Sequence, residues 1–169
     1  PLKDFDSLAE YLKEYAPSLA RVGKSAKPLH DIDNDPLPAE ISTMKRIPFP
    51  VQAHGATAIF KGMLAYLKGL IPDRVFFMNC GEMGSGKTQV ANTLLHLLYH
   101  HFKSLRVLIT VPQITIPQWH KEEILKTIPY AKVKVINNWK DTLKFIWRTR
   151  GKKPDGLEIV LMGHDRAKL

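Results

Sequence analysis

Residues 81–88 read Gly81-Glu82-Met83-Gly84-Ser85-Gly86-Lys87-Thr88. The stretch satisfies G-x-x-x-x-G-K-[ST], a loop whose backbone N–H groups cradle phosphate. Before it runs Arg74-Val-Phe-Phe-Met-Asn-Cys80, apolar and of strand length. After it, residues 87–102 carry a helical pattern. Strand, loop, helix is the order the chemistry needs. The glycines let the backbone bend round an anion without Cβ clashes. The N–H groups that open the helix then point at that anion, helped by the helix dipole. Lys87 is placed to reach the β- and γ-phosphates, and the Thr88 hydroxyl to ligate Mg²⁺. Glu82, Met83, Gly84, Ser85 and Gly86 complete the expected nucleotide-binding loop. The bland alternative is a Gly-rich turn with an exposed lysine.

The alternation continues outward on both sides. Residues 51–68 read as a helix with Ile59, Met63, Tyr66 and Leu67 as its inner stripe. Strands are expected at 74–80, 105–111, 132–137 and 157–162, and helices at 87–102, 115–127 and 139–149. Strand and helix alternating in this way predict a parallel sheet with helices on both faces. The expected class is α/β. Residues 1–45 are set apart. Residues 4–16 read as a short amphipathic helix, with Ser7 and Glu10 at capping-box spacing. Residues 17–45 hold Pro17, Pro28, Pro36 and Pro38 and the acidic run Asp31-Ile-Asp33-Asn-Asp35. They read as a linker or an irregular arm rather than a packed element, with the compact domain covering 46–169.

The chain has 169 residues, 25 Lys and Arg against 16 Asp and Glu, and a formal charge of +9. The excess is uneven. Residues 121–153 carry 10 basic and 3 acidic side chains. A basic domain points to a polyanionic partner, most often nucleic acid, with a solvated lysine-rich surface as the alternative. One cysteine, Cys80, excludes an internal disulfide and a cysteine-cluster metal site. Its place beside the loop reads as a small buried residue. No apolar stretch approaches the roughly 20 residues of a membrane helix, and no secretory signal opens the chain. An intracellular setting is expected. The first residue is Pro1 rather than Met, which suggests a chain cut from something longer.

Three segments sharpen the functional reading. Arg46-Ile-Pro-Phe-Pro-Val-Gln52 lies about 30 residues before the loop. Leu105-Arg-Val-Leu-Ile-Thr-Val-Pro112 is followed by Gln-Ile-Thr-Ile-Pro-Gln-Trp119-His-Lys-Glu122. Residues 157–166 form an apolar run into Gly163-His-Asp165-Arg. With the loop, these resemble the superfamily 2 helicases and translocases, in particular the Swi/Snf-like ATPases. That family's loop often reads D-E-M-G-x-G-K-T, and here Gly81 stands for the leading Asp. Val111, Pro112, Trp119 and Glu122 match the family's V-x-P, Trp and acidic positions. The resemblance covers about 46–169.

The resemblance implies the first of two RecA-like lobes of an ATP-driven motor on nucleic acid, with DNA the first choice. It implies that Gln52 reads adenine and that Gln113, Thr115 and Gln118 touch the nucleic-acid backbone. The second lobe would be a partner from the same parent chain. The family's Asp-Glu pair is not found after any apolar strand, and Asp165 is a poor stand-in because Gly163 and His164 intervene. The lobe therefore reads as incomplete at its C-terminus, and this chain is expected to bind ATP weakly and to turn it over poorly or not at all.

Other residues carry weaker signals. Trp119, Trp139 and Trp147 read first as packing residues, with base stacking among the lysines as the alternative. Lys140, Lys144 and Arg148 share a helix face. His96 and His100 are four apart, but no third metal ligand accompanies them. Two rival functions remain: a small P-loop kinase, for which no acceptor site is visible, and a nucleotide-gated binding module without turnover.

Overall fold

A computed structural model describes residues 28–70 and 77–164. The expected helix at 4–16, the first half of the expected strand at 74–80, and Asp165 lie outside the described residues.

The elements are α1 (Pro50–Leu67), α2 (Lys87–Phe102), β1 (Leu105–Val111), β2 (Lys132–Ile136) and β3 (Leu157–Gly163). Between β1 and β2 a composite helix runs through α3 (Ile116–Gln118), a π-helical turn (Trp119–Ile124) and α4 (Leu125–Thr127). The last helix is α5 (Trp139–Thr149). Three parallel strands form one sheet in the order β1-β3-β2. Leu105 pairs with Leu157 at one end of the β1–β3 ladder and Val111 with Gly163 at the other. The α/β class is therefore observed.

Side chains alternate across the sheet. Ile109 and Val107 of β1, Leu157 and Ile159 of β3 and Val133 of β2 face α2 and the composite helix. There they pack with Leu95, Ile124 and Ile128. Trp119 lies partly buried in the same layer, as expected of a packing residue. Val160, Met162 and Ile136 face the other way and meet Phe145 of α5. β3 is buried on both faces because it is the central strand. On β1 the second face is less covered, and Leu108 is 58% exposed. Arg106 and Glu158 sit opposite each other in the register and pair at 2.8 Å.

The structure corrects several expectations. Residues 77–80 belong to no strand and are exposed, Cys80 included. An apolar run proposes a strand, but a strand also needs a neighbour's backbone, and these residues have none among the described ladders. The inner face of α1 is not Ile59, Met63, Tyr66 and Leu67. It is Ala53, Ala56, Thr57, Gly62 and Ala65, while Leu67 is exposed. Small side chains let α1 approach α2 closely, so bulk did not mark the buried stripe.

The described part of the arm is irregular but packed. Ala39–Thr43 makes a 3₁₀ turn with Ile41 buried, and Ile41 joins Ala53 and Leu97. His96 ties this turn to α2. Its Nε2–H donates to the Glu40 carbonyl at 2.8 Å, and the Tyr130 hydroxyl donates to its Nδ1 at 2.6 Å. A second clasp holds the arm to α1: Lys61 donates to Asp35 at 2.6 Å, and His30 and His54 share a hydrogen bond at 2.8 Å.

Both clasps should weaken in acid. Burial lowers the pKa of His30 and of His96 below the ordinary 6.5. In the unfolded chain these groups take up protons near 6.5, while the folded chain resists. The unfolded state then binds more protons, so stability is full above about pH 6.5 and falls as pH drops below it. Thermal unfolding between pH 7 and pH 5 should show a falling Tm. A flat or rising Tm would contradict this account.

Candidate functional site

The phosphate-type loop opens α2, and two of its three glycines adopt the conformation that only glycine takes cheaply. Gly84 has φ +85° and Gly86 φ +78°. A Cβ on Gly86 would lie 2.3 Å from Gln52 Nε2. The loop therefore needs glycine there twice over, once for the backbone and once for the neighbour.

Gln52 is buried at the start of α1 and reaches across to the loop. Its Oε1 accepts from the Phe49 N–H at 3.1 Å, and its Nε2 donates to the Ser85 carbonyl at 3.0 Å. The first bond caps α1, whose first turn also carries Pro50. The second holds the loop against α1. Gln52 thus has a positioning job within the chain beside the adenine contact expected of it.

Lys87 is folded into its own loop. Its ammonium donates to the carbonyls of Gly81 at 2.8 Å and Glu82 at 2.9 Å. Thr88 is half-buried at the helix start, and Met83 is 99% exposed. Glu82 and Ser85 are exposed, and the Glu82 side chain touches none of the other site residues through a hydrogen bond.

Beside the loop and Gln52 lies a cleft of about 510 Å³, with Glu82 and Ser85 outside its lining. Gln52, Met83, Gly84, Gly86, Lys87 and Thr88 line it, so six of the residues expected at the nucleotide are brought together. Five further lining residues were not singled out as contacts: Arg46, Ile47, Phe49, Gln89 and Glu123. Arg46 pairs with Glu123 at 3.6 Å across the cleft mouth. Gln89 Nε2 donates to the Arg46 carbonyl at 2.8 Å. Gln89 Oε1 is buried without a hydrogen-bond partner. The position of Gln89, one residue past Thr88, was the available signal. Glu123 gave none, because it arrives from a π-helical turn 35 residues downstream.

The residues expected at nucleic acid stand elsewhere. Gln113 and Thr115 form a 3₁₀ turn after β1, and Gln118 ends α3. Gln113 and Gln118 are exposed. The Thr115 hydroxyl is occupied by the Pro112 carbonyl at 2.9 Å. Gln113 leans over Gly163 at the end of β3. All three lie at the carboxyl ends of the strands, where open α/β sheets bind ligands.

Among the described residues, no group of three His, Cys, Asp or Glu side chains is placed to hold a metal ion. A divalent ion could still be held by Thr88 together with phosphate oxygens, which is how Mg²⁺ is commonly bound with nucleotides. Among the described residues, no helix is long and apolar enough to cross a membrane. No family model matches this chain, and no curated protein is matched by it.

Proposed function

We propose that this chain is the ATP-binding, RecA-like first lobe of a nucleic-acid helicase or translocase, acting on DNA as first choice. The observation that carries the nucleotide half is the loop itself. Two left-handed glycines open a 16-residue helix, with Lys87 folded between loop carbonyls and a cleft beside it.

The chain's own residues divide the work as follows. The N–H groups at the start of α2 bind the phosphates. Lys87 leaves two neutral carbonyls for an anion, a stronger partner for an ammonium. Gln52 keeps the loop against α1 and lines the cleft where a base would lie. Arg46 and Phe49 close the outer wall. Thr88 would hold Mg²⁺, which supplies charge neutralisation at the phosphates. Gln113, Thr115 and Gln118 would contact the nucleic-acid backbone from the strand ends.

Glu123 is the one carboxylate among the residues that line the cleft, and it is engaged with Arg46. The chain should therefore bind ATP with Mg²⁺ and show no multiple-turnover hydrolysis. Calorimetric titration with ATP and a phosphate-release assay on the same sample test both parts. Steady release that stops in Lys87→Ala would overturn the second part. Absence of ATP binding would overturn the first.

A further inference from the structure

α5 turns its apolar face away from the sheet. None of its 11 residues is buried, and its contact with the sheet is through Phe145. Trp139 is 57% exposed, Trp147 73%, and Ile146 and Leu143 are exposed as well. The packing role expected for the two tryptophans is therefore not what the fold gives them. At about 3.6 residues per turn, these four side chains fall in one stripe. Lys140, Lys144 and Arg148 fall in a second stripe directly beside it, also exposed. Asp141, the one acidic residue of the helix, lies toward the sheet side, where its carboxylate accepts from the Asn137 N–H at 3.4 Å. The cationic stripe borders a groove of about 330 Å³ lined by Lys132, Lys134, Lys144 and Arg148, with Asp141 and Glu158 as its two acids.

The arrangement is one-sided. Flat apolar groups run along one line and cations along the neighbouring line, on one flank only. A polymer with planar groups on one edge and anions on the other fits this pairing. An acidic helix of a partner protein carries its charges on both flanks of its apolar stripe and fits it less well. Trp139 and Trp147 are eight residues apart, about 12 Å along the helix, enough to stack separate bases. The start of α5 follows β2 at the carboxyl end of the strands, as Gln113 follows β1, and the two strands lie two spacings or about 10 Å apart.

We infer that α5 is a single-stranded nucleic-acid platform, with Trp139 and Trp147 stacking bases and Lys140, Lys144 and Arg148 following the phosphates. The inference rests on the nucleic-acid reading above and names a surface that reading does not use.

The test is fluorescence anisotropy with a labelled 20-mer of oligodeoxythymidylate, on the whole chain. The Trp139→Leu/Trp147→Leu double variant should bind about 30-fold or more weakly, since each base–aromatic stack is worth about fivefold or more. The Lys144→Gln/Arg148→Gln variant should lower the salt slope of log affinity by roughly 1.4. Both variants change exposed side chains, and unchanged circular dichroism confirms that they fold. ATP titration of each variant is the independent readout and should be unaffected.

Full affinity in both variants overturns the inference. If Gln113→Ala/Gln118→Ala then abolishes binding, the nucleic-acid reading stands and only the platform falls. No oligonucleotide binding by the parent chain overturns both. Binding of the parent and the Leu variant to phosphatidylglycerol vesicles, with none to the oligonucleotide, would make α5 a membrane-surface helix instead.

Discussion

Lys87→Ala is expected to weaken ATP binding by about 100-fold while leaving the fold intact. In the free chain the ammonium holds only the carbonyls of Gly81 and Glu82. Both loop residues are exposed, so water replaces the lost donor there at little cost. With nucleotide bound the balance differs. A charged hydrogen bond to phosphate disappears and the anion loses its closest cation. Truncating one partner of such a pair costs on the order of 2–5 kcal/mol, and about 1.4 kcal/mol is tenfold in affinity. The measurement is the rise in Tm on adding ATP with Mg²⁺. A ligand that binds only the folded state raises Tm with its concentration, and the rise should all but vanish in the variant. An equal rise in both proteins would remove Lys87 from the site.

Gly86→Ala should be the more damaging change, because it harms the fold of the loop as well as binding. Residue 86 sits at φ +78°, which costs an L-residue roughly 1–2 kcal/mol. The new methyl would also arrive 2.3 Å from Gln52 Nε2 and 3.2 Å from its Cδ. The end of a glutamine side chain usually moves aside easily, but here both of its ends are engaged, by Phe49 N–H and the Ser85 carbonyl. Making room releases the loop from α1. The expected outcome is loss of detectable ATP binding and a Tm lower by several degrees. A double-mutant cycle separates the two causes. Adding Gln52→Ala removes the clash but not the backbone strain, so it should recover part of the lost stability and none of the binding. Strict additivity of the two changes would show that the clash is not real.

Much of this was legible in the sequence because it was local. The spacing of apolar residues fixes α2, β1 and α5, and all three begin and end where the pattern places them. The loop was legible because glycine at fixed offsets has a backbone reason. What failed depended on neighbours. The run ending in Cys80 has strand composition, yet residues 77–80 pair with no strand, and composition does not say which sheet edge is open. The buried stripe of α1 is made of Ala53, Ala56 and Thr57, and hydrophobic bulk points to the wrong face. Trp139 and Trp147 look like core residues until the helix is set on its sheet. The cleft was half legible. Arg46, Gln89 and Glu123 come to the loop from three separate elements, and only the tertiary fold brings them there.

The order β1-β3-β2 has a consequence for how the chain folds. β1 and β2 never pair with each other, and every ladder in the described sheet has β3 as one side. The partner of Leu105 is Leu157, half a hundred residues later. During synthesis the first two strands must wait, unpaired, until the last emerges. Contacts at such separation make folding slow, and unpaired apolar strands are open to aggregation while they wait. A ribosome stalled before Leu157 would carry a nascent chain with helices but neither of the described ladders. The described helices are therefore an early event, and the described sheet is a late one that depends on β3.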